Sequence, residues 1–578
     1  MSELHVESKS IRLLFQQETG GFLIPDYQRP YAWDKSQCQT LWEDLLEFAI
    51  PDGDATRFDT HDVYFLGPLV MFKNEDGRKE IIDGQQRLTT LMLLLRAFYS
   101  HFGAMRDVNS VKTQETIGQC IWMTDEFGTP DANALKIDSE VATDTDKDEF
   151  TDILRTGKAP DTMKSRYAEN YRYFKGRIEE FLQHYPTYFA YLPMRILNNC
   201  VLLPIDADSQ DTALTIFSTL NDRGMPLADA DIFKAQLYKY YGSLGKKDEF
   251  VDRWKALDEG FKGGPGATQG SMDELFTDYM YFARARRGIT SSTTEALRKF
   301  YERDKYALLK QGETFDDVER LAAFWRSVQL QDEERFSDDA LRRLFVLNYA
   351  PNTMWTYFLS VYFLQRRDAS DLLDGAELTA FLDKTIAFMW AYAITNPGVN
   401  SLRSPIYKEM VNIVEDRPVT FDGYRQDPAR LRIALENYRF ANQRRITKAM
   451  LAWWAMRDPA QPLLSIETSF DIEHIYARKR QEVEHGVGAG QLESLGNKAL
   501  LETRINIRAA DYRFADKKKY YRGFVTDRGQ EKEGTKVKEL LDISESNEDF
   551  GGEEIAARMG RIIDVFIDDL GENDLLLD

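Results

Sequence analysis

Two stretches of this 578-residue chain gather side chains able to do chemistry on phosphates. In "IIDGQQRLTT" a β-like run ends at Asp83 and an apolar helical pattern begins near Gln85. The first backbone N–H groups of a helix lack internal partners and sit at the positive end of its dipole, so such a junction suits an anion. Gly84 allows a tight turn and a close approach by a ligand. Arg87 offers a fork of donors matched to phosphate oxygens. Gln85 and Gln86 can donate to a phosphate or a base edge, and Asp83 can hold a magnesium ion or a ribose hydroxyl. The bland alternative is a helix cap at Asp83 beside a solvated Arg87. No GxxxxGKS/T run occurs, which excludes a P-loop.

The second stretch runs from "SFDIEHIYARKR" to "FADKKKYY". Hydrolysis of a phosphodiester needs an activated water, a Lewis acid at the phosphate and relief of charge on the leaving oxygen. Histidine is the natural general base near neutral pH, and carboxylate or amide oxygens suit Mg2+ or Mn2+. Glu473-His474, followed by Asn497 in "LGN" and by Asn506, supplies that set. His485, in a polar Gly-rich segment, reads as merely exposed.

These residues sit in a chain with a formal charge of −21, which excludes a protein that coats phosphate backbones non-specifically. From Glu473 to Arg522, however, 11 Lys/Arg face 7 Asp/Glu, a local net of +4. Arg478, Lys479, Arg480, Lys498, Arg508, Lys517 and Lys518 are the candidate contacts to DNA. Three scattered cysteines, without a CxxC pair, suggest neither a zinc site nor a disulfide framework. No apolar run approaches the roughly 18 residues of a membrane span, and "MSELHVESKSIRLLF" lacks signal-peptide order. The expectation is a cytoplasmic protein with no membrane partner.

The elements that must position these groups follow from periodicity. Short β-like runs ("GFLIPDY", "VYFLGPLVMF", "KEIIDG") fill the first 100 residues, the last two joined through "KNEDGRK" with Asp76-Gly77 as turn pair. Helices follow, broken by a polar stretch over about 125–148; then come a strand at 199–208, a helix, and a turn on Gly224 leading into a helix that Asp229 or Asp231 caps. The Gly-rich segment 259–274 marks a boundary. Beyond it an aromatic-rich helical region extends to about 460, its Trp and Tyr stripes reading as core and its surface compatible with a homodimer. The last 115 or so residues turn mixed again. The fold expectation is α+β and multidomain: 1–245, 246–460 and 461–578.

Four motifs in order, "IPDYQRPYAW", "YFLGPLV", "IIDGQQRLTTL" and "IFSTLNDRGMPLADADIFKA", resemble the N-terminal domain of GmrSD-type, modification-dependent restriction proteins. The resemblance implies an α/β domain similar to the ParB/sulfiredoxin fold that binds and hydrolyses a nucleoside triphosphate (GTP, ATP or UTP), with Asp83, Gln85, Gln86 and Arg87 at the phosphates. It further implies that Tyr27, Gln28 and Arg29 face the cleft and that Asn221, Arg223, Asp231 and Lys234 close it. The C-terminal pattern resembles the HNH, or His-Me finger, nuclease domain, a ββα-metal unit. That likeness implies His474 as general base, Glu473 and Asn506 as metal ligands, and Asn497 as the residue holding the loop that orients His474. Ala477 stands where the family has proline, and Lys498 interrupts "GNLTLL". The function expected is a nucleotide-dependent, modification-sensing endonuclease of antiphage defence acting on DNA, modified phage DNA included; the alternative is a ParB-like, NTP-switched DNA-binding module with an inactive nuclease domain.

Overall fold

The apolar runs of the N-terminal region pair into one mixed seven-stranded sheet in the computed structural model, which describes residues 5–577 apart from 104, 142–143, 222–227, 263–270, 397 and 399–400. Its strands are β1 (His5–Val6), β2 (Lys9–Ser10), β3 (Phe22–Ile24), β4 (Tyr64–Lys73), β5 (Lys79–Asp83), β6 (Ile137–Ser139) and β7 (Cys200–Ala207). The order across the sheet is β1-β7-β4-β5-β3-β6, with β2 also on β7. β4 pairs parallel with β7 and antiparallel with β5, and β3 lies parallel between β5 and β6. The β4–β5 connection differs from the expected two-residue turn. Gly77 N donates to Asn74 O and itself takes φ +81°, so Glu75-Asp76 are the turn centre and Gly77 is the left-handed residue that closes it.

Helix α1 (Gln85–Phe102) leaves β5 directly and is buried on nearly every side, from Gln85 through Phe98, as a central core helix should be. Helices α2 (Val108–Ile121) and α3 (Arg166–His184) cover it. The polar stretch 125–148 holds part of a small hairpin, Trp122–Thr124 with Pro130–Leu135, and β6. After β7 come α4 (Gln210–Asn221) and α5 (Asp229–Ser243). Helix α5 is capped by neither aspartate: Ala228 occupies the N-cap, and Asp229 and Asp231 lie in the first turn.

The chain divides into two compact units, Met1–Ala256 and Leu257–Asp578. The second opens with α6 (Met272–Arg286), started by a Ser271/Glu274 capping box. Helices α7 (Gly312–Gln329), α8 (Met354–Arg366), α9 (Gly375–Thr395) and α10 (Arg445–Met456) carry the aromatic stripes inward. Phe324 stacks on Phe363 at 4.2 Å and Tyr362 on Phe381 at 4.0 Å, so these stripes are core. Within the same unit, β8 (Phe470–His474) pairs antiparallel with β9 (Lys498–Glu502), His474 opposite Lys498, and β9 runs straight into α12 (Thr503–Ala509). Helix α11 (Arg478–Glu484) lies between the two strands in sequence; α13 (Phe514–Arg522), the strand pair β10 (Phe524–Val525) and β11 (Glu531–Lys532), α14 (Lys538–Ser546) and α15 (Gly552–Glu572) follow. The whole is mixed α+β. Among the described residues no helix is long and apolar enough to cross a membrane.

Candidate functional site

At the head of α1, Gly84 has φ +94°, and a Cβ there would lie 2.9 Å from Leu69 Cδ1, so only glycine makes this turn. Asp83 is partly buried; burial pushes its carboxyl up, against the pull of Arg87 and of exposed Arg29. Arg87 donates to Pro68 O at 2.9 Å, and its guanidinium lies about 3.0 Å from where a Cβ on Gly67 would stand. Gln85 is buried with its Oε1 unpartnered among the described residues, in the first turn of a helix that no side chain caps among them. The glycine turn, the Arg87 guanidinium and the uncapped helix start are the chemistry an anion calls for, whereas Asp83 and Gln85 Oε1 are acceptors that would face a ligand's donors or a cation.

Three of the expected ligands serve the scaffold instead. Gln86 accepts from Ala32 N at 2.7 Å and donates to Pro30 O at 3.1 Å. Gln28 donates to Ile82 O at 3.1 Å, and Tyr27 to Glu80 at 3.3 Å with its ring against Tyr238. Together they lash the 27–32 segment across the DGQQR turn. Lys234, buried on α5, donates to Gln28 O at 3.3 Å, which ties α5 to that segment; Asp231 lies one turn earlier on the same helix. Arg223 and the side chain of Asn221 lie outside the described residues.

In the second unit, successive residues of β8 point to opposite faces. His474, 9% exposed, leaves Nε2 without a hydrogen bond, with Glu493 Oε1 3.6 Å away. Burial, then the Lys498 and Arg478 cations, push its imidazole down to about 3 against the pull of Glu493, so it is neutral through the physiological range. Asn497 accepts from Tyr476 N at 2.7 Å and donates to Tyr476 O and Leu492 O at 3.1 Å, pinning the chain just beyond His474. Ala477, the missing proline, takes φ −65°, where proline's own ring would hold it.

Glu473 faces the other way. It accepts from Lys517 Nζ at 2.8 Å and from Tyr521, all three being buried, and Lys517 also donates to His474 O at 2.6 Å. Burial pushes the Glu473 carboxyl up, against Lys517 and Tyr521. A second cation at Glu473 would meet the Lys517 ammonium, so this carboxylate does not fit a metal. Among the described residues no cluster of three or more His, Cys, Asp or Glu is arranged to hold one. Asn506, half-buried on α12, makes no side-chain hydrogen bond among them.

Of the expected DNA contacts, Lys498 and Lys517 are corrected by burial: both ammonium groups are enclosed, Lys498 against Glu493 at 2.6 Å and Asn442 at 2.8 Å. Arg480 is held bidentate by Asp549, Lys518 donates to Asn547 O, and Arg478 pairs with Glu493 at 2.7 Å. Lys479 is exposed and Arg508 half-buried.

With both sites described, comparison with known families bears on the first. Residues 11–238 match the family model of the GmrSD restriction endonuclease, N-terminal domain. No curated protein matches the chain. The GmrSD-type stretch takes in the 27–29 segment, the DGQQR turn and most of α5, and stops well before β8.

Sequence reasoning missed three residues outside the GmrSD-type stretch. Glu493 gathers Arg478, Lys498 and His474. Arg558, on α15, is buried and donates to the carbonyls of Leu495, Gly496 and Lys498 while Glu539 holds its other edge. Gly496 must be glycine, because a Cβ would lie 2.1 Å from Ile555 O. A lysine on an inward strand position calls for a counter-ion, and that signal pointed to an acid near Glu493; nothing in the sequence pointed to Arg558.

Proposed function

We propose that the chain is a DNA endonuclease of defence against foreign DNA, modified DNA included. Its ββα unit is of the HNH type and hydrolyses phosphodiesters with His474 as general base. A nucleoside triphosphate bound and hydrolysed at the DGQQR turn controls the cutting. The GmrSD restriction endonuclease match supports the substrate class and the defence role. The observation that carries the nuclease reading is the geometry at His474: an imidazole whose Nε2 makes no hydrogen bond among the described residues, at the end of a strand whose following turn Asn497 locks. A phosphate anion brought beside His474 would raise its depressed imidazole towards the range where a general base works, so that Nε2 takes a proton from water attacking phosphorus, and the Arg478 guanidinium nearby offsets charge building on the phosphate. Arg29, Asp83, Gly84, Gln85 and Arg87 would cradle the nucleotide.

The alternative, a DNA-binding module with a dead nuclease, draws on the Ala477 and Lys498 departures. Ala477 keeps a proline-like φ and Lys498 has its counter-ion in Glu493, so neither favours it. The deciding experiment incubates full-length protein with modified phage DNA and plain plasmid, with Mg2+ or Mn2+, with and without NTP. His474→Ala should lose cutting by about 10²-fold or more with an unchanged thermal melt. Undiminished cutting by that variant overturns the assignment.

A further inference from the structure

Beyond the cutting residues, the second unit carries a surface for which the proposed hydrolysis has no use. Helix α12 ends at Ala510, a non-glycine residue at φ +40°, ψ −143°, a conformation L side chains rarely adopt. That kink turns the chain outward to Tyr512, 48% exposed. Its ring stacks on Tyr520 of α13 at 5.7 Å and 18°, and Tyr520 in turn meets Phe524 of β10 edge-on at 5.4 Å. Tyr520 and Phe524 are themselves partly open. Three rings thus form a continuous surface run rather than a buried cluster.

Cations frame it. Lys519 lies 4.6 Å over the Phe524 ring, and Arg508 is anchored between Arg504 O and Glu533 O. Arg504 is exposed on the same helix, as is Ile507 at 72%. From Arg504 to Lys532 nine Lys/Arg stand against four Asp/Glu, a net of +5 in a chain of −21. Partly open rings beside basic side chains, in a stretch opposite in charge to its own chain, match a polyanion that offers flat unsaturated faces. Paired bases hide those faces inside the stack; unpaired ones present them, and base–aromatic stacking contributes about 1–3 kcal/mol per base.

We infer that Tyr512, Tyr520 and Phe524, with Arg504, Arg508 and Lys519, form a stacking platform for unpaired bases of single-stranded DNA beside the nuclease unit. This deepens the nuclease reading and rests on it for the choice of DNA. The same helix α12 carries Asn506 and two of the platform cations, Arg504 and Arg508, so a strand opened or splayed near the cutting centre would have its bases held here.

The test is binding without cutting, by fluorescence anisotropy in EDTA, with full-length protein and three probes: a 20-nucleotide single strand of mixed sequence, its duplex, and the RNA of the same sequence. The single strand should bind at least tenfold tighter than the duplex. Tyr512→Ala with Tyr520→Ala should weaken single-strand binding tenfold or more and duplex binding less than threefold, whereas Tyr512→Phe with Tyr520→Phe should retain it. A normal thermal melt in the Phe pair guards against misfolding. Single-strand affinity unchanged in the Ala pair, equal losses on both DNAs, tighter binding of the RNA, or no binding of any probe overturns the proposal. The assay requires no cleavage, so a failed nuclease reading and a failed platform give different results.

Discussion

Glu493 is the residue on which the charge pattern of the second unit turns. Its carboxylate lies within 2.6 Å of Lys498, whose side chain is fully enclosed, and 2.7 Å from Arg478. Burial raises its carboxyl, and the two cations outweigh that and hold it below the ordinary range. Removing one partner of a buried pair leaves an uncompensated charge, which costs more than the pair contributes. Glu493→Gln should therefore lower stability by about 3 kcal/mol, and adding Lys498→Met should restore most of it, both read by urea melts. If the single variant loses under 1 kcal/mol, Lys498 has another counter-charge. Cutting should fall in the single variant, since Lys498 and Arg478 would then press unopposed on His474.

At the level of elements, the turn before β9 is held from outside by α15, through Gly496 packed on the Ile555 carbonyl and Arg558 on three others. Gly496→Ala has no room unless that helix shifts, so it should cost about 2–3 kcal/mol in a urea melt and remove cutting. In the helical layer, Asp278 of α6 is buried against Ser360 and Trp325, and burial pushes its carboxyl up to about 8. Its contribution to stability is complete below the ordinary carboxyl range and is lost as pH climbs through about 8. Melting temperature should thus fall between pH 5 and 9, and Asp278→Asn should remove much of that fall, about 2 kcal/mol at pH 9 by thermal denaturation. A pH trend identical in the variant would show that Asp278 does not titrate. Periodicity made β5 and α1 legible because alternation and apolar runs are local, whereas β8 and β9 were legible through the HNH-like motif and not through a period. The β4–β5 turn was misread by one residue, since Asp-Gly signals a tight turn equally well when glycine closes it. The two lysines offered to DNA were invisible as buried, because a basic cluster looks the same whether its members face solvent or a carboxylate. Arg558 lies 62 residues after the Gly496 it braces, and no local pattern encodes such a pairing.

Across the whole molecule, a charge of −21 repels phosphate backbones, and most basic residues near the second site are already paired. Among the described residues, Lys479, Arg504, Arg508 and Lys519 are cations at its surface that are not held in an ion pair, and they are the ones expected to meet phosphates. Each phosphate neutralised contributes about 0.9 to the salt slope, so duplex binding should show a slope of log K against log salt of roughly −4. A slope beyond about −7, measured by anisotropy between 50 and 200 mM salt, would reveal a basic surface elsewhere. The brace from α15 has a consequence for the birth of the protein. Synthesis proceeds at roughly 5–20 residues per second, and β8 and β9 leave the ribosome seconds before Arg558 exists. Until then the turn under His474 lacks its clamp, so the β8–β9 pair takes its final form only once α15 has been made.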